Sequence, residues 1–440
     1  MKASTAQRIA WLIGGSVAAL PGMAMARQQQ ASFHSSFEPG DPAPRLMPTA
    51  GRFSATIDGG PGRQVVLTAK PGVGFSGLRS LHYRARGAGR QQVRLFKLDL
   101  PVLADTQLSY VIFPQRVPGD LRNPANYVAL DLLFDDGSRL STRGALDQHR
   151  IGASAQAQGT GRVLYPDQWN FVSIDLGRVA AGRRIRQIML DHDGPAAAAF
   201  EGYLDDLRIE AEPADPRRRP SDFVDTRRGS NANGNFSRGN TYPALALPHG
   251  FNFWTPVTDA SGNWLCQYQD HNGADNRPRL QAFALSHEPS PWMGDRQTFQ
   301  LMPEAQADGM PLLDRAARSL GFSHAHEDAH AHDYRVAFDN GIVTEITPTD
   351  HAAMFRFSFP GAHAQLLFDN INDHGGITLD AAGRSFSGWS AVKSRLSAGA
   401  TRLFFYGTVD QPVQRSGRLA GAGRDHVAAW FAFDTAKIKV

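Results

Sequence analysis

The stretch Val93-Arg94-Leu95-Phe96-Lys97-Leu98-Asp99-Leu100 alternates apolar and polar side chains with a period of two. Tyr127-Val128-Ala129-Leu130-Asp131-Leu132-Leu133-Phe134 repeats the device and ends in the turn signal Asp135-Asp136-Gly137. A period of two sends one row of side chains into a core and the other into water, as a half-buried strand requires and a helix does not. Further segments of the same kind follow at Trp169–Leu176, Ile185–Leu190 and Gly202–Ile209. Short strands broken by turns, without a convincing amphipathic helix, predict an antiparallel β-sandwich or jelly roll over residues 31–211.

The composition changes at Glu212-Pro213-Ala214-Asp215-Pro216-Arg217-Arg218-Arg219-Pro220. Three prolines and three arginines leave nothing to bury, so 212–220 is expected to be a solvated linker. Strand periodicity resumes beyond it, at Tyr334–Phe338, Ala353–Phe359 and Thr401–Tyr406. Asp339-Asn340-Gly341 supplies a hairpin signal between Phe338 and Ile342–Ile346. The expectation is all-β, with a jelly roll followed by a larger antiparallel supersandwich-type module at 221–440.

With 440 residues, 42% of them hydrophobic and 20% charged, the chain is long enough for two cores. Lysine plus arginine number 46 and aspartate plus glutamate 42, and no long basic stripe exists, so nucleic acid is a poor partner. The single cysteine, Cys266, rules out an intramolecular disulfide and a cysteine-based zinc cage. Lys2 and Arg8, the apolar run Ile9–Leu20 and the small-residue pattern Ala24-Met25-Ala26 read together as a signal peptide over 1–26, cleaved after Ala26. The mature protein is therefore expected in the periplasm or medium, with no membrane span.

Four blocks in the second half resemble the N-terminal domain of glycoside hydrolase family 92, the exo-acting α-mannosidases. They are Phe223–Ser230, Gly239–Pro256, Ser286–Asp295, and Gly321–His324 followed by Glu327 and Tyr334. The segments Asn126–Asp136, Leu164–Asn170 and Tyr203–Ile209 resemble the galactose-binding-like jelly roll that precedes the catalytic part in some bacterial mannosidases. The resemblance implies calcium-dependent, inverting removal of terminal mannose from glycans. It also implies that the acid and base carboxylates and the calcium site belong to a helical domain beyond Val440, so no catalytic residue is assigned within this chain. A non-catalytic carbohydrate-binding protein of two β-modules is the alternative.

Substrate contacts are expected from indole faces, which stack on sugar C–H patches, and from polar groups beside them. Trp254, Trp264 and Trp292 are the candidate platforms, with His287 and Asp295 as hydrogen-bonding partners. The competing reading is that the tryptophans anchor loops onto the core. Asp205-Asp206 invites a structural calcium in the first module, although strand-edge solvation and a turn hydrogen bond account for it as well. The histidine-rich run His324–Asp333 is read as a solvated loop rather than a metal site.

Overall fold

The computed structural model describes residues 32–48, 53–62, 67–197, 199–211, 219–247, 250–260, 265–269, 277–286, 298–305, 309–371, 374–392, 401–419 and 426–434. The expected signal peptide and most of the expected linker lie outside the described residues. Half of the described residues are in strands and 6% in helices, so the all-β expectation holds.

The first module is two antiparallel sheets face to face. One runs in the order Phe53–Asp58, Ser80–Ala85, Phe200–Ala211, Thr106–Pro114, Asn170–Asp175, with Phe33–Ser35 also paired to Phe200–Ala211. The other runs Met47–Pro48, Gly89–Pro101, Arg184–Gly194, Val128–Phe134. Alternate side chains from both, among them Leu81, Leu95, Leu130, Ile188 and Leu204, meet in one core. Each fully buried side chain of this size contributes roughly 1.5–3 kcal/mol by leaving water. Two short helices, Ala155–Gly161 and Gly177–Ala180, interrupt the strands. The first has no apolar periodicity to announce it and is started by Ser154, whose side chain accepts from the Ala157 N–H.

The second module pairs a six-stranded sheet with a five-stranded one. The larger is ordered Phe253–Val257, Ala282–Ser286, Phe299–Glu304, His363–Asn370, Ala429–Asp434, Arg415–Arg418. The smaller is ordered Arg279–Leu280, Leu320–Ala329, Tyr334–Phe338, Val343–Pro348, Ala353–Ser358. A three-stranded sheet, Gly375–Asp380, Ser385–Val392 and Thr401–Thr408, flanks them. The Asp339-Asn340-Gly341 hairpin forms as expected, with Gly341 at φ +89° and the Phe338 N–H donating to the Ile342 carbonyl. Part of the histidine-rich run departs from its expectation. His324 and His326 lie within the strand Leu320–Ala329 rather than in a loop, and only the segment from His330 turns.

Among the described residues the modules touch at the hairpin formed by Ser230–Asn233 with Phe236–Asn240. The Ser237 N–H donates to the Leu67 carbonyl at 2.7 Å. Arg238 donates through Nε to the Thr68 carbonyl and through Nη1 to the Phe75 carbonyl, at 3.1 and 3.2 Å. Its guanidinium also lies 4.0 Å from the centre of the Phe75 ring. Phe75 is braced in turn against Trp169, which packs on Phe113. The loop beneath is pinned by fully buried Asp205, whose Oδ2 accepts from the Ser76 N–H at 2.9 Å and whose Oδ1 accepts from the Asp206 N–H. Asp206 pairs with His34 and Arg208. Turn hydrogen bonding thus accounts for Asp205-Asp206, and among the described residues no group of three metal-ligating side chains occurs.

Two predictions follow from this packing. Arg238→Ala should loosen the pair of modules while leaving the melting of each nearly unchanged. X-ray scattering should show a larger radius of gyration, and trypsin should cut faster at Arg217–Arg219; an unchanged profile would show that this contact does not hold the modules together. The second concerns His192, which is fully buried against Phe53 and Phe200 with neither ring nitrogen hydrogen-bonded. Burial lowers its pKa to about 4. The unfolded chain takes up a proton near pH 6.5 that the fold refuses, so stability should fall as pH drops from about 6.5 to 4, by at most ~3 kcal/mol. Denaturant titrations of the protein and of His192→Leu across that range should show a shallower pH slope for the variant.

Candidate functional site

Two of the expected blocks, the first and the last, meet at one buried carboxylate, that of Glu327. The strand Leu320–Ala329 shifts register between Phe322↔Phe338 and Glu327↔Val336. Beyond that irregularity the alternation turns Glu327 and Ala329 inward and leaves Asp328 outside. The Glu327 side chain is then fully enclosed. A buried carboxylate must be matched by donors, and three surround this one. Arg227 Nη1 lies 3.3 Å from Oε2, His324 Nδ1 lies 2.6 Å from the same oxygen, and the Tyr268 hydroxyl donates to Oε1. Tyr334 closes the set, its hydroxyl 2.9 Å from that of Tyr268.

Arg227 also grips Asp225 through Nε at 2.9 Å and Nη2 at 2.8 Å, and donates to the His324 carbonyl at 3.0 Å. Burial works against the charge of Asp225, but these two hydrogen bonds from Arg227 hold its carboxyl below the usual range. Burial likewise opposes the charge of Arg227, and its hydrogen bond to Asp225 with the nearby Glu327 charge raises its pKa above the ordinary value. Tyr268 and Tyr334 are driven well above a normal phenol, first by burial and then by the adjacent Glu327 charge. Asp225 and Arg227 thus stay charged and the two tyrosines neutral near neutral pH, which suits a clamp rather than a proton shuttle. His324 Nε2, shut from water, has no hydrogen-bond partner.

The second block is sewn to the first beside this cluster. The Thr241 N–H donates to the Gly229 carbonyl at 2.8 Å. Gly229 and Gly239, both at positive φ, cross so closely that a Cβ on Gly239 would stand 2.5 Å from the Gly229 Cα. Only glycine satisfies both the conformation and the contact. Asn240 Oδ1 accepts from the Cys266 N–H at 2.8 Å, and the Cys266 carbonyl accepts from the Ala232 N–H. Cys266 itself is buried, which pushes its thiol up to about 12.

Of the expected sugar contacts, Trp254 is described and lies in the core. It sits on the strand Phe253–Val257 with 7% exposure and stands edge-on to Phe355 at 4.7 Å. That placement corrects the expectation of an open indole platform and matches the anchoring alternative, because pairing with Ala282–Ser286 and a bridge to Leu245 cover the residue. Trp264, Trp292, His287 and Asp295 lie outside the described residues. Of the cluster, Arg227, His324, Glu327 and Tyr334 fall within the blocks read from the sequence. Tyr268 gave no signal, since nothing around it marks a partner 59 residues away.

Glu327→Ala should strand Arg227 and both tyrosines without their acceptor and cost about 3–5 kcal/mol, the usual penalty for breaking a buried charge pair. Glu327→Gln, which keeps an acceptor for Tyr268, should cost less. Chemical denaturation of the two variants checks the order, and equal losses would contradict the clamp.

Comparison with known proteins bears on the same region. A family model described as the glycosyl hydrolase family 92 N-terminal domain matches residues 223–440. Among solved structures, the family GH92 inverting mannosidase BT2199 from Bacteroides thetaiotaomicron VPI-5482 is 29% identical, with 49% of this chain and 30% of that one covered and a TM-score of 0.43. The glycoside hydrolase domain of Endo-D from Streptococcus pneumoniae R6 is 12% identical over 85% of this chain and 43% of that one, with a TM-score of 0.26. The chain therefore spans less than half the length of either. No curated protein matches it. The second module, residues 223–440, is a glycosyl hydrolase family 92 N-terminal domain.

Proposed function

We propose that the protein serves the removal of terminal mannose from glycans outside the cytoplasm, with residues 223–440 acting as the β-scaffold of that apparatus rather than its proton-transfer site. The observation that carries this reading is the family match over those residues. Inverting hydrolysis needs a protonated carboxyl and a carboxylate roughly 6.5–9.5 Å apart, with a water between one of them and the sugar. Two of the enclosed carboxylates of the module are committed otherwise, while a third, Glu304, is equally buried and has its carboxyl lifted by that burial to about 7. Glu327 is held by Arg227, His324 and Tyr268, and Asp369 by Arg318 and Arg315 at 3.0 and 3.3 Å. Both serve packing.

Calcium, which the family resemblance implies, takes about six to eight oxygen ligands. Among the described residues no cluster of carboxylates fits it, so no step is drawn through the ion. The reading of 1–26 as a signal peptide supports export.

The test uses the full chain with an aryl α-mannoside and with α-mannobiose, each with and without added calcium. Calorimetry should show mannoside binding, and no aryl alcohol should be released. Calcium-dependent release would overturn the scaffold assignment, and absence of heat with either mannoside would overturn the mannose assignment.

A further inference from the structure

A pocket of about 490 Å³ opens on the first module, lined by Ser54, Arg84, Arg86, Gln115, Arg116 and Glu201 among its polar residues. Its size falls within the ~300–1,000 Å³ typical of small-ligand sites. Its residues come from the ends of four neighbouring strands, Phe53–Asp58, Ser80–Ala85, Phe200–Ala211 and Thr106–Pro114, and the turns beyond them.

Charge is unbalanced there. The carboxylate of Glu201 is already engaged by His82 at 3.0 Å and by Arg84 at 3.2 Å. Arg86 and Arg116 use their backbone groups, Arg86 accepting from Gln91 and Arg116 donating to Asp167. Neither guanidinium makes an ion pair or hydrogen bond with the described residues. Two forked, permanently charged donors facing one pocket suit an oxyanion. Beside them the side-chain carbonyl oxygen of Gln115 is shut from water and lacks any donor. Ala85, Val117, Pro118, Ala199 and Phe200 complete the wall with apolar surface for C–H groups.

We propose that this pocket binds a sugar ring bearing an oxyanion, either the carboxylate of a uronic acid or a phosphate ester, with Arg86 and Arg116 on the anion and the ring against the apolar wall. The site belongs to the first module alone and stands apart from the mannoside reading of the second.

Calorimetry on the full chain with glucuronic acid, mannose 6-phosphate, mannose and inorganic phosphate tests it. At least one of the two acidic sugars should bind more tightly than both mannose and inorganic phosphate, and which one does identifies the source of the anion. Binding should weaken with salt and fall at least about tenfold in Arg86→Gln/Arg116→Gln, as loss of charge-assisted hydrogen bonds requires. Both arginines are exposed and hold no side-chain contact, so the double variant should melt like the parent, a point that circular dichroism checks. Mannose binding as tightly as the acidic sugars, inorganic phosphate doing so, unchanged affinity in the double variant, or no binding of either acidic sugar would each overturn the assignment.

Discussion

A carboxylate removed from water must find its partners inside the protein, and the second module is arranged around that demand. Glu327 is enclosed, and its three donors come from separate parts of the chain: Arg227 from the first turn of the module, Tyr268 from a loop, His324 from its own strand. Each donor brings its backbone with it. The Thr226 N–H joins the Ala329 carbonyl, and His330 Nδ1 reaches the Val224 carbonyl, so the entry segment is laid along the strand that carries Glu327. Such a network contributes little net stability compared with an apolar core of the same volume, but it penalises any arrangement in which one donor is missing. It therefore selects one way of threading these segments. Asp369 repeats the arrangement on the larger sheet, where Arg318, itself wholly enclosed, donates to it and to Gln300.

The first module meets the same problem differently. Asp205 is completely buried without a counter-charge and answers to backbone N–H groups, so burial lifts its pKa well above the ordinary carboxyl value. The loop it pins presents Phe75 to Arg238 of the second module. A turn inside one module thereby sets the surface on which the other rests.

Much of the framework was legible from periodicity. The strands at Tyr334–Phe338 and Phe200–Ala211 coincide with the segments read as alternating, and the Asp-Asn-Gly signal falls on the hairpin it announces, because strand pairing between neighbours depends on local chemistry. What sequence reading missed depends on distant partners. The run from His324 looked solvated because its residues are polar, yet Tyr268 and Arg227, 59 and 100 residues away from Glu327, draw part of it into a sheet. Trp254 looked like a loop aromatic because prolines and glycines surround it, whereas its burial is decided by Leu245 and by a strand beyond residue 280. The arginines of the first-module pocket lie on different strand ends and show no common spacing.

The lone thiol has a consequence of its own. Sealed beneath Asn240 and the Ser230–Asn233 hairpin, Cys266 stays protonated and out of reach, so the native protein is indifferent to air and to other thiols. That protection lasts only while the chain is folded. Once heat opens the module, the sulfur becomes an ordinary reactive group with no internal mate, and cross-linking between unfolded copies turns a reversible transition into permanent loss that a reducing agent would prevent.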